Sequence, residues 1–323
     1  MATIRSIFSG GARRAAFAAA LLSTAAGASA ANAATVTVGG ACTFRNAVVS
    51  INQGSNYGGC SHSGTYGSGD TVAVPLGTFN IYQSIDIKRA MTIQGQDKYN
   101  SILQATDTVS GYAIKVANPS IVVKINSVTI NGNGGATGIY VDGEGDTNLN
   151  DNNLELNLVV VSGWGDTGIR GEGARILVQH CLIYENTGTI GGGVASVSIQ
   201  NDNGSWTLAT FVSKNSAISF NTSSGYGGGI FSTGKMDLRS TLMQGNHAAA
   251  QGGAVWVAAP TSGVTCNATR DTATSAPSDF DEGTADQGYS IVASAVPCSL
   301  HDSIGSDNAY PFCTANVSGC PNQ

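Results

Sequence analysis

The chain has 323 residues, of which only 11% are charged and 43 are glycine, and its formal net charge is −6. An acidic chain this poor in Lys and Arg is a poor candidate for binding an anionic membrane surface, and no nucleic acid is expected as a partner. Segments rich in Val, Ile and Leu recur along the chain, which argues against disorder.

The first 33 residues have the features of a secretory signal peptide. Three arginines precede an alanine-rich apolar run at 15–22, and small-residue cleavage sites follow at 28–30 and 31–33. Arg13-Arg14 also allows a twin-arginine signal. The apolar run is too short to span a bilayer, and no later run is long enough for a transmembrane helix. We therefore predict an exported protein that is secreted, periplasmic or held at the cell surface.

Residues 34–62 are predicted to form an N-terminal cap. A short alternating segment is followed by Phe44, Ala47, Val48 and Ile51, whose spacing predicts a short amphipathic helix. A Cys42–Cys60 disulfide would close a short loop and stabilise this cap by about 3 kcal/mol. A solenoid needs its open end covered, and such a helix would provide the cover.

The same region resembles the entry module of secreted right-handed β-helix proteins. The resemblance is carried by the segment from Cys42 to Ala47, by Gly59-Cys60 and by residues 69–81. That module opens Cys-Ser/Thr-Leu-Arg-Glu-Ala, whereas Phe44 and Asn46 replace the usual Leu and Glu here. The resemblance implies a parallel β-helix downstream, with the segment from Asp70 to Val123 as scaffold.

Residues 63–257 are predicted to form the β-helix itself. Three units share an Asn, a short loop of small residues, a small-residue corner and a β-branched residue that opens a strand: Asn186–Val194, Asn221–Ile230 and Asn246–Val255. Weaker corners lie at Gly138 and Gly168. A variable period of 20 to 40 residues indicates a solenoid. A β-sandwich with glycine-rich turns is the alternative.

The strand alternation predicts which side chains fill the interior of this β-helix. We expect six residues inside: Ile176, Val178, Leu182, Met236, Leu238 and Leu242. Glycines at the corners can adopt positive φ, and each corner Asn can donate hydrogen bonds to the neighbouring coil. Because parallel crossovers are overwhelmingly right-handed, the winding is predicted to be right-handed.

These repeats resemble polymorphic outer-membrane-protein repeats and the wider pectate-lyase-like superfamily. The resemblance runs over about residues 36–257 and implies an all-β, right-handed parallel β-helix. That superfamily includes lyases, hydrolases and adhesins, so the resemblance alone does not assign an activity.

One acidic stretch offers a possible calcium site. Asp142, Glu144 and Asp146 alternate with glycines, and such spacing can gather carboxylates around Ca²⁺. No Glu stands where an EF-hand needs its twelfth residue, because Asn153 occupies that position. The alternative is a solvated loop between coils.

Residues 258–323 change in character and are predicted to form a C-terminal cap. Their four cysteines allow three pairings, which the sequence does not choose between: Cys266, Cys298, Cys313 and Cys320. Two disulfides are expected in an exported chain. The remaining Cys181 lies within a strand, where a buried free thiol is expected.

Candidate site residues cluster loosely in two adjacent coils. Arg170, Arg175 and His180 could bind and deprotonate a uronate if they faced outward together. The alternative for His180 is a polar position that stacks between coils and is equivalent to Ser240 in the later coil. Candidate ligand contacts are Trp164, Asp166, Arg170 and Trp256, although a lone Trp in a β-helix is more often a packing residue.

Two functions follow from these observations. No series of paired aspartates like that of polygalacturonases is present, and no aspartate cluster like that of pectate lyases. The first hypothesis is therefore a non-catalytic, adhesin-like protein whose polar flank binds a polysaccharide, a surface glycoconjugate or an extracellular protein. The second is a polysaccharide lyase or glycoside hydrolase acting on an acidic polysaccharide.

Overall fold

The computed structural model describes residues 32–144 and 152–258, together with the backbone of five short strands farther along the chain. All but the end of the predicted signal peptide lies outside the described residues. The same holds for Asp146 and for the side chains of the four C-terminal cysteines.

The chain consists almost entirely of short strands. The elements from the N-terminus to the middle of the chain are β1 (Thr35–Thr37), α1 (Phe44–Gln53), β2 (His62–Ser63), β3 (Thr71–Val74), β4 (Gly77–Ile81), β5 (Ile85–Ile87), β6 (Met91–Gly95), β7 (Ser101–Ala105), β8 (Gly111–Val116), β9 (Val123–Asn126), β10 (Thr129–Asn131), β11 (Ala136–Asp142), β12 (Leu154–Asn157), β13 (Val160–Ser162) and β14 (Thr167–Glu172). The elements that follow are β15 (Arg175–Gln179), β16 (Leu182–Tyr184), β17 (Thr187–Ile190), β18 (Val194–Val197), β19 (Ile199–Gln200), β20 (Trp206–Thr207), β21 (Thr210–Lys214), β22 (Ala217–Ser219), β23 (Thr222–Tyr226), β24 (Ile230–Ser232), β25 (Lys235–Arg239), β26 (Leu242–Gln244), β27 (His247–Ala248), β28 (Val255–Ala258), β29 (Cys266–Thr269), β30 (Thr284–Ala285), β31 (Ile291–Ser294), β32 (Cys298–Leu300) and β33 (Val317–Ser318).

Successive coils add one strand to each of several parallel sheets. Sheet 1 has the order β2-β1-β3-β6-β9-β12-β15-β21-β25-β29-β32-β33, sheet 2 the order β4-β7-β10-β13-β16-β22-β26, sheet 3 the order β5-β8-β11-β14-β18-β24-β28-β31, and sheet 4 the order β17-β23-β27-β30. From β3 to β28, each coil visits sheets 1, 2 and 3 in turn, and from β17 onward each coil also visits sheet 4. This topology is a parallel β-helix, so the predicted fold class is confirmed and the sandwich alternative is wrong.

The N-terminal cap forms as predicted. Thr43 caps α1 by accepting a hydrogen bond from the backbone N–H of Asn46 at 3.1 Å. The helix ends at Gly54, whose φ of 65° is in the left-handed region. Its buried face includes the four residues expected from the spacing: Phe44, Ala47, Val48 and Ile51. The predicted Cys42–Cys60 disulfide is present.

The interior prediction is confirmed in four of its six positions. Ile176, Val178, Met236 and Leu238 are buried, whereas Leu182 and Leu242 are only half-buried. Their neighbours Ile183 and Met243 fill the interior instead.

The cause of this shift is a two-residue corner between sheets 1 and 2. Its first residue adopts the left-handed conformation, with φ of 52° at His180 and 48° at Ser240. The second residue, Cys181 or Thr241, is buried. The corner therefore shifts the alternation of inward and outward side chains by one residue between the two strands. A period-2 pattern continued through the corner places the wrong residue inside.

The corner asparagines form a buried ladder, as the repeats predict. Asn186 Nδ2 donates to Asn221 Oδ1, and Asn221 Nδ2 donates to Asn246 Oδ1, both at 3.0 Å. All three side chains are fully buried. Each Oδ1 also accepts a backbone N–H from the preceding coil, the first of them from Trp164. The ladder fixes the register of four successive coils.

The corner glycines are required for a reason other than the predicted one. Gly193 and Gly229 are absent from the positive-φ residues, and positive φ occurs instead two residues earlier, at Gly191 and Gly227. A Cβ on Gly193 would lie 2.8 Å from the carbonyl oxygen of Gly229. Close packing of the coils, rather than left-handed backbone, therefore explains the small residue at this corner.

Among the described residues, no helix is long and apolar enough to cross a membrane.

Candidate functional site

The outward positions of sheet 3 align in one row across successive coils, although Ala195 in the middle of this row is fully buried. Strand register places them in a main row of Asp86, Lys115, Tyr140, Arg170, Ala195, Phe231 and Trp256, with Asp142 and Glu172 in a second row. We call these residues, with Tyr112 and Tyr226 beside them, the sheet-3 face. The strand spacing makes the row from Lys115 to Trp256 about 24 Å long.

The half of this face nearer the N-terminus is held together by ion pairs. Lys115 Nζ lies 2.9 Å from Asp142 Oδ2, and an Arg170 guanidinium nitrogen lies 2.7 Å from Glu172 Oε1. Arg170 Nε donates to the same oxygen at 2.9 Å, while Tyr140 Oη donates to Glu172 Oε2 at 2.7 Å. These contacts hold the polar groups in defined positions at a partly exposed surface.

Two tyrosines lie within this polar half. The rings of Tyr112 and Tyr140 are stacked with centroids 5.7 Å apart, and Lys115 Nζ lies 5.2 Å from the Tyr140 centroid. Burial and the hydrogen bond to Glu172 raise the pKa of Tyr140 well above its usual value. The hydrogen bond to Asp142 raises the pKa of Lys115. Both groups therefore keep their protons at neutral pH.

The other half of the face is aromatic. Phe231 and Trp256 are stacked with centroids 4.7 Å apart and planes 10° apart, and Tyr226 lies 5.1 Å from the Trp256 ring. Tyr226 is 42% exposed and Trp256 is partly exposed, whereas Phe231 is only 9% exposed. Flat aromatic surfaces next to hydrogen-bonding groups are suited to a ligand with both apolar and polar faces.

Two of the predicted contact residues belong to this face and two do not. Arg170 and Trp256 lie in its main row. Asp166 lies just before β14, where its Oδ2 accepts a hydrogen bond from Thr137 at 2.7 Å. Trp164 is buried at 1% exposure, and its Nε1 donates to the Ile130 carbonyl. It occupies the corner position of the asparagine ladder, so a ligand in solvent cannot reach it.

The three predicted catalytic candidates lie on different parts of the coil. Arg170 is on sheet 3, Arg175 is on sheet 1, and His180 is at the corner between sheets 1 and 2. His180 Nδ1 lies 3.2 Å from Asn157 Oδ1, and Arg175 Nε is buried without a hydrogen-bond partner. His180 adopts the same left-handed conformation as Ser240, which is the equivalence that the alternative interpretation of His180 gives.

Sequence reasoning missed Tyr140, Lys115 and Glu172, although a signal was present. Tyr140 follows the corner Gly138-Ile139 at the same offset at which Arg170 follows Gly168-Ile169. Aligning every corner in this way would have placed both residues in one outward row, and Phe231 and Trp256 with them.

Asp142 and Glu144 of the predicted calcium site lie within the described residues. Asp142 is paired with Lys115, and the Glu144 backbone N–H donates to Asp142 Oδ1 at 3.3 Å. Within 32–144 and 152–258, no group of three or more His, Cys, Asp or Glu side chains could hold a metal ion. The site with Asp146 stays a prediction.

No family model matches this chain, and no curated protein matches it. Among solved structures it is similar to full-length tailspike protein 2 from Escherichia coli O157:H7 bacteriophage CAB120, at 11% identity and a TM-score of 0.44, covering 77% of this chain and 37% of that one. It is also similar to the catalytic domain of a GH87 alpha-1,3-glucanase in complex with nigerose, at 15% identity and a TM-score of 0.32. That likeness covers 86% of this chain and 56% of the glucanase domain, so the chain spans less than two thirds of either protein. At such identities the similarity concerns the fold and not the ligand.

Proposed function

We propose that this chain is an exported β-helix protein that binds a glycan along the sheet-3 face without turning it over. The observation that carries the proposal is the Phe231–Trp256 stack in the same outward row as Tyr140 and Arg170. Sugar rings present C–H groups on their faces and hydroxyls at their edges. An aromatic platform continued by fixed polar groups complements both.

The charges of this face favour binding over proton transfer. Each carboxylate in its rows has a partner: Asp86 accepts from Tyr112, Asp142 pairs with Lys115, and Glu172 pairs with Arg170. A catalytic acid or base needs a group free to exchange its proton with the substrate. Export, which the N-terminal sequence predicts, agrees with the cap disulfide, because such bonds persist in oxidising compartments.

A glycan array with the mature protein, followed by titration calorimetry on the best ligand, tests the proposal. Trp256→Ala removes the platform, and we expect the affinity to fall roughly 30-fold, as for a buried aromatic contact residue. Trp206→Ala is the matched control, because Trp206 lies in β20, in a hairpin outside the sheet-3 face. Absence of glycan binding, or equal losses in the two variants, would contradict the proposal.

A second candidate function is glycoside hydrolysis, and one observation favours it. Asp142 and Glu172 are direct partners in the β11–β14 register, so two carboxylates occupy adjacent strands of the same face. Glycosidases use two such groups across the scissile bond. Release of reducing ends from a bound glycan by the parent, abolished in both Asp142→Asn and Glu172→Gln, would establish hydrolysis. Binding without product release supports the first function.

A further inference from the structure

A polar cleft lies where the N-terminal cap meets sheet 3. It has a volume of about 440 Å³, and its walls are one side of α1 and the strand β5. The α1 wall consists of Arg45, Val49, Asn52 and Gln53, whose spacing places them on the helix side opposite the buried one. The β5 wall includes Asp86 and Lys88.

Hydrogen bonds hold the two walls of this cleft in place. Asn52 Nδ2 donates to the Asp86 carbonyl at 2.8 Å, and Asn52 Oδ1 accepts from the Lys88 backbone N–H at 2.9 Å. Asn52 therefore ties the helix to the end of β5. These bonds fix the position of the Lys88 backbone relative to the helix that carries Arg45, so the two walls are in place before a ligand binds.

Two cations line the cleft, and neither forms an ion pair with the described part of the chain. Ion pairs within the described residues involve Lys115, Lys124, Arg170 and Arg239, whereas Arg45 and Lys88 form none. One carboxylate lines the cleft, that of Asp86, and its Oδ1 already accepts a hydrogen bond from Tyr112 at 3.2 Å. The cleft therefore holds two cations and one carboxylate, a local excess of one positive charge in a chain whose net charge is −6, and this excess favours an anionic ligand.

The cleft is also continuous with the sheet-3 face. Tyr112 lines the cleft and stacks on Tyr140. A ligand lying along the face would therefore reach Arg45 and Lys88 at its N-terminal end. We propose that this cleft binds an anionic substituent, a carboxylate or a sulfate ester, carried by the glycan on the sheet-3 face. This inference rests on the proposed function and adds a charge requirement to it.

Three polymers with one backbone test the inference: dextran, carboxymethyl dextran and dextran sulfate, compared by affinity electrophoresis of the mature protein. We expect the parent to bind at least one anionic polymer more tightly than dextran. The double variant Arg45→Gln/Lys88→Gln should bind that anionic polymer roughly tenfold more weakly than the parent does, and its affinity for dextran should be unchanged. The preferred polymer distinguishes a carboxylate from a sulfate.

The control removes the same charge from another face. Lys214 and Lys235 lie on sheet 1, so the double variant Lys214→Gln/Lys235→Gln should still bind the anionic polymer more tightly than dextran. No preference in the parent, or equal losses in the two double variants, would overturn the inference. The Trp256→Ala variant tests the proposed function separately from the cleft. If the proposed function is correct, this variant binds every polymer that the parent binds, charged or neutral, more weakly than the parent does. If Trp256→Ala changes nothing while Arg45→Gln/Lys88→Gln still weakens anionic binding, the proposed function fails and the cleft stands.

Discussion

The asparagine ladder gives a quantitative prediction for Asn221. Its Oδ1 accepts from the backbone N–H and from the side chain of Asn186, and its Nδ2 donates to the Ile183 carbonyl and to Asn246. In Asn221→Ala the buried N–H of Asn186 loses this acceptor, and the Ile183 carbonyl loses this donor. Each unsatisfied buried group costs about 1–3 kcal/mol, so for these two groups we expect a loss of about 2–6 kcal/mol in the free energy of unfolding.

A second variant separates the hydrogen bonds from the void that alanine leaves. Asn221→Asp keeps the volume and the acceptor, but it places a carboxylate oxygen against the Ile183 carbonyl and Asn246 Oδ1. We expect it to be destabilising at neutral pH as well. The control is Asn126→Ala on the outward side of β9, where surface substitutions change stability by about 0.5 kcal/mol or less.

Urea unfolding followed by circular dichroism measures these changes from the midpoint and the slope. Repeat proteins can open coil by coil, so hydrogen exchange should show whether residues 186–246 open first. Asn221→Ala within 0.5 kcal/mol of Asn126→Ala would refute the role assigned to the ladder.

Two further predictions concern titratable groups. Cys181 is buried, with its pKa raised to about 11 by burial, so alkylation followed by mass spectrometry should label it only after unfolding, and rapid labelling of the native protein would contradict this. Tyr140 has a folded-state pKa raised above its usual 10.0, so the stability associated with its neutral form is lost as the pH rises beyond 10, and thermal unfolding should show a steeper loss there for the parent than for Tyr140→Phe.

The strand content, the cap helix and the corner asparagines could be predicted because each depends on local spacing. Phe44 and Ile51 lie on one side of a helix whatever surrounds them, and Asn221 repeats the context of Asn186. The exchange of Leu182 for Ile183 could not be predicted in the same way. This exchange depends on the left-handed conformation at His180, and histidine is not a residue type from which a turn is predicted.

The candidate site could be predicted only in part, for a topological reason. Arg170, Arg175 and His180 are near in sequence, but a coil changes direction between them, so they lie on different parts of the surface. Lys115 and Asp142 are 27 residues apart and form an ion pair, because one full coil separates them. In a solenoid, residues separated by one full coil lie next to each other in space, whereas residues a few positions apart can face different directions.

The hairpin of β19 and β20 shows where insertions into the sequence can be tolerated during evolution. Thirty-five residues separate Asn186 from Asn221, but 25 separate Asn221 from Asn246, and both pairs meet at the same hydrogen-bond distances. The longer interval contains the hairpin, which belongs to none of the stacked sheets and whose tip at Asn203 and Gly204 is exposed. Loop length is thus uncoupled from coil geometry. Residues inserted at this tip should leave the stacked coils intact. The exposed loop can therefore vary in length and sequence while the β-helix stays the same.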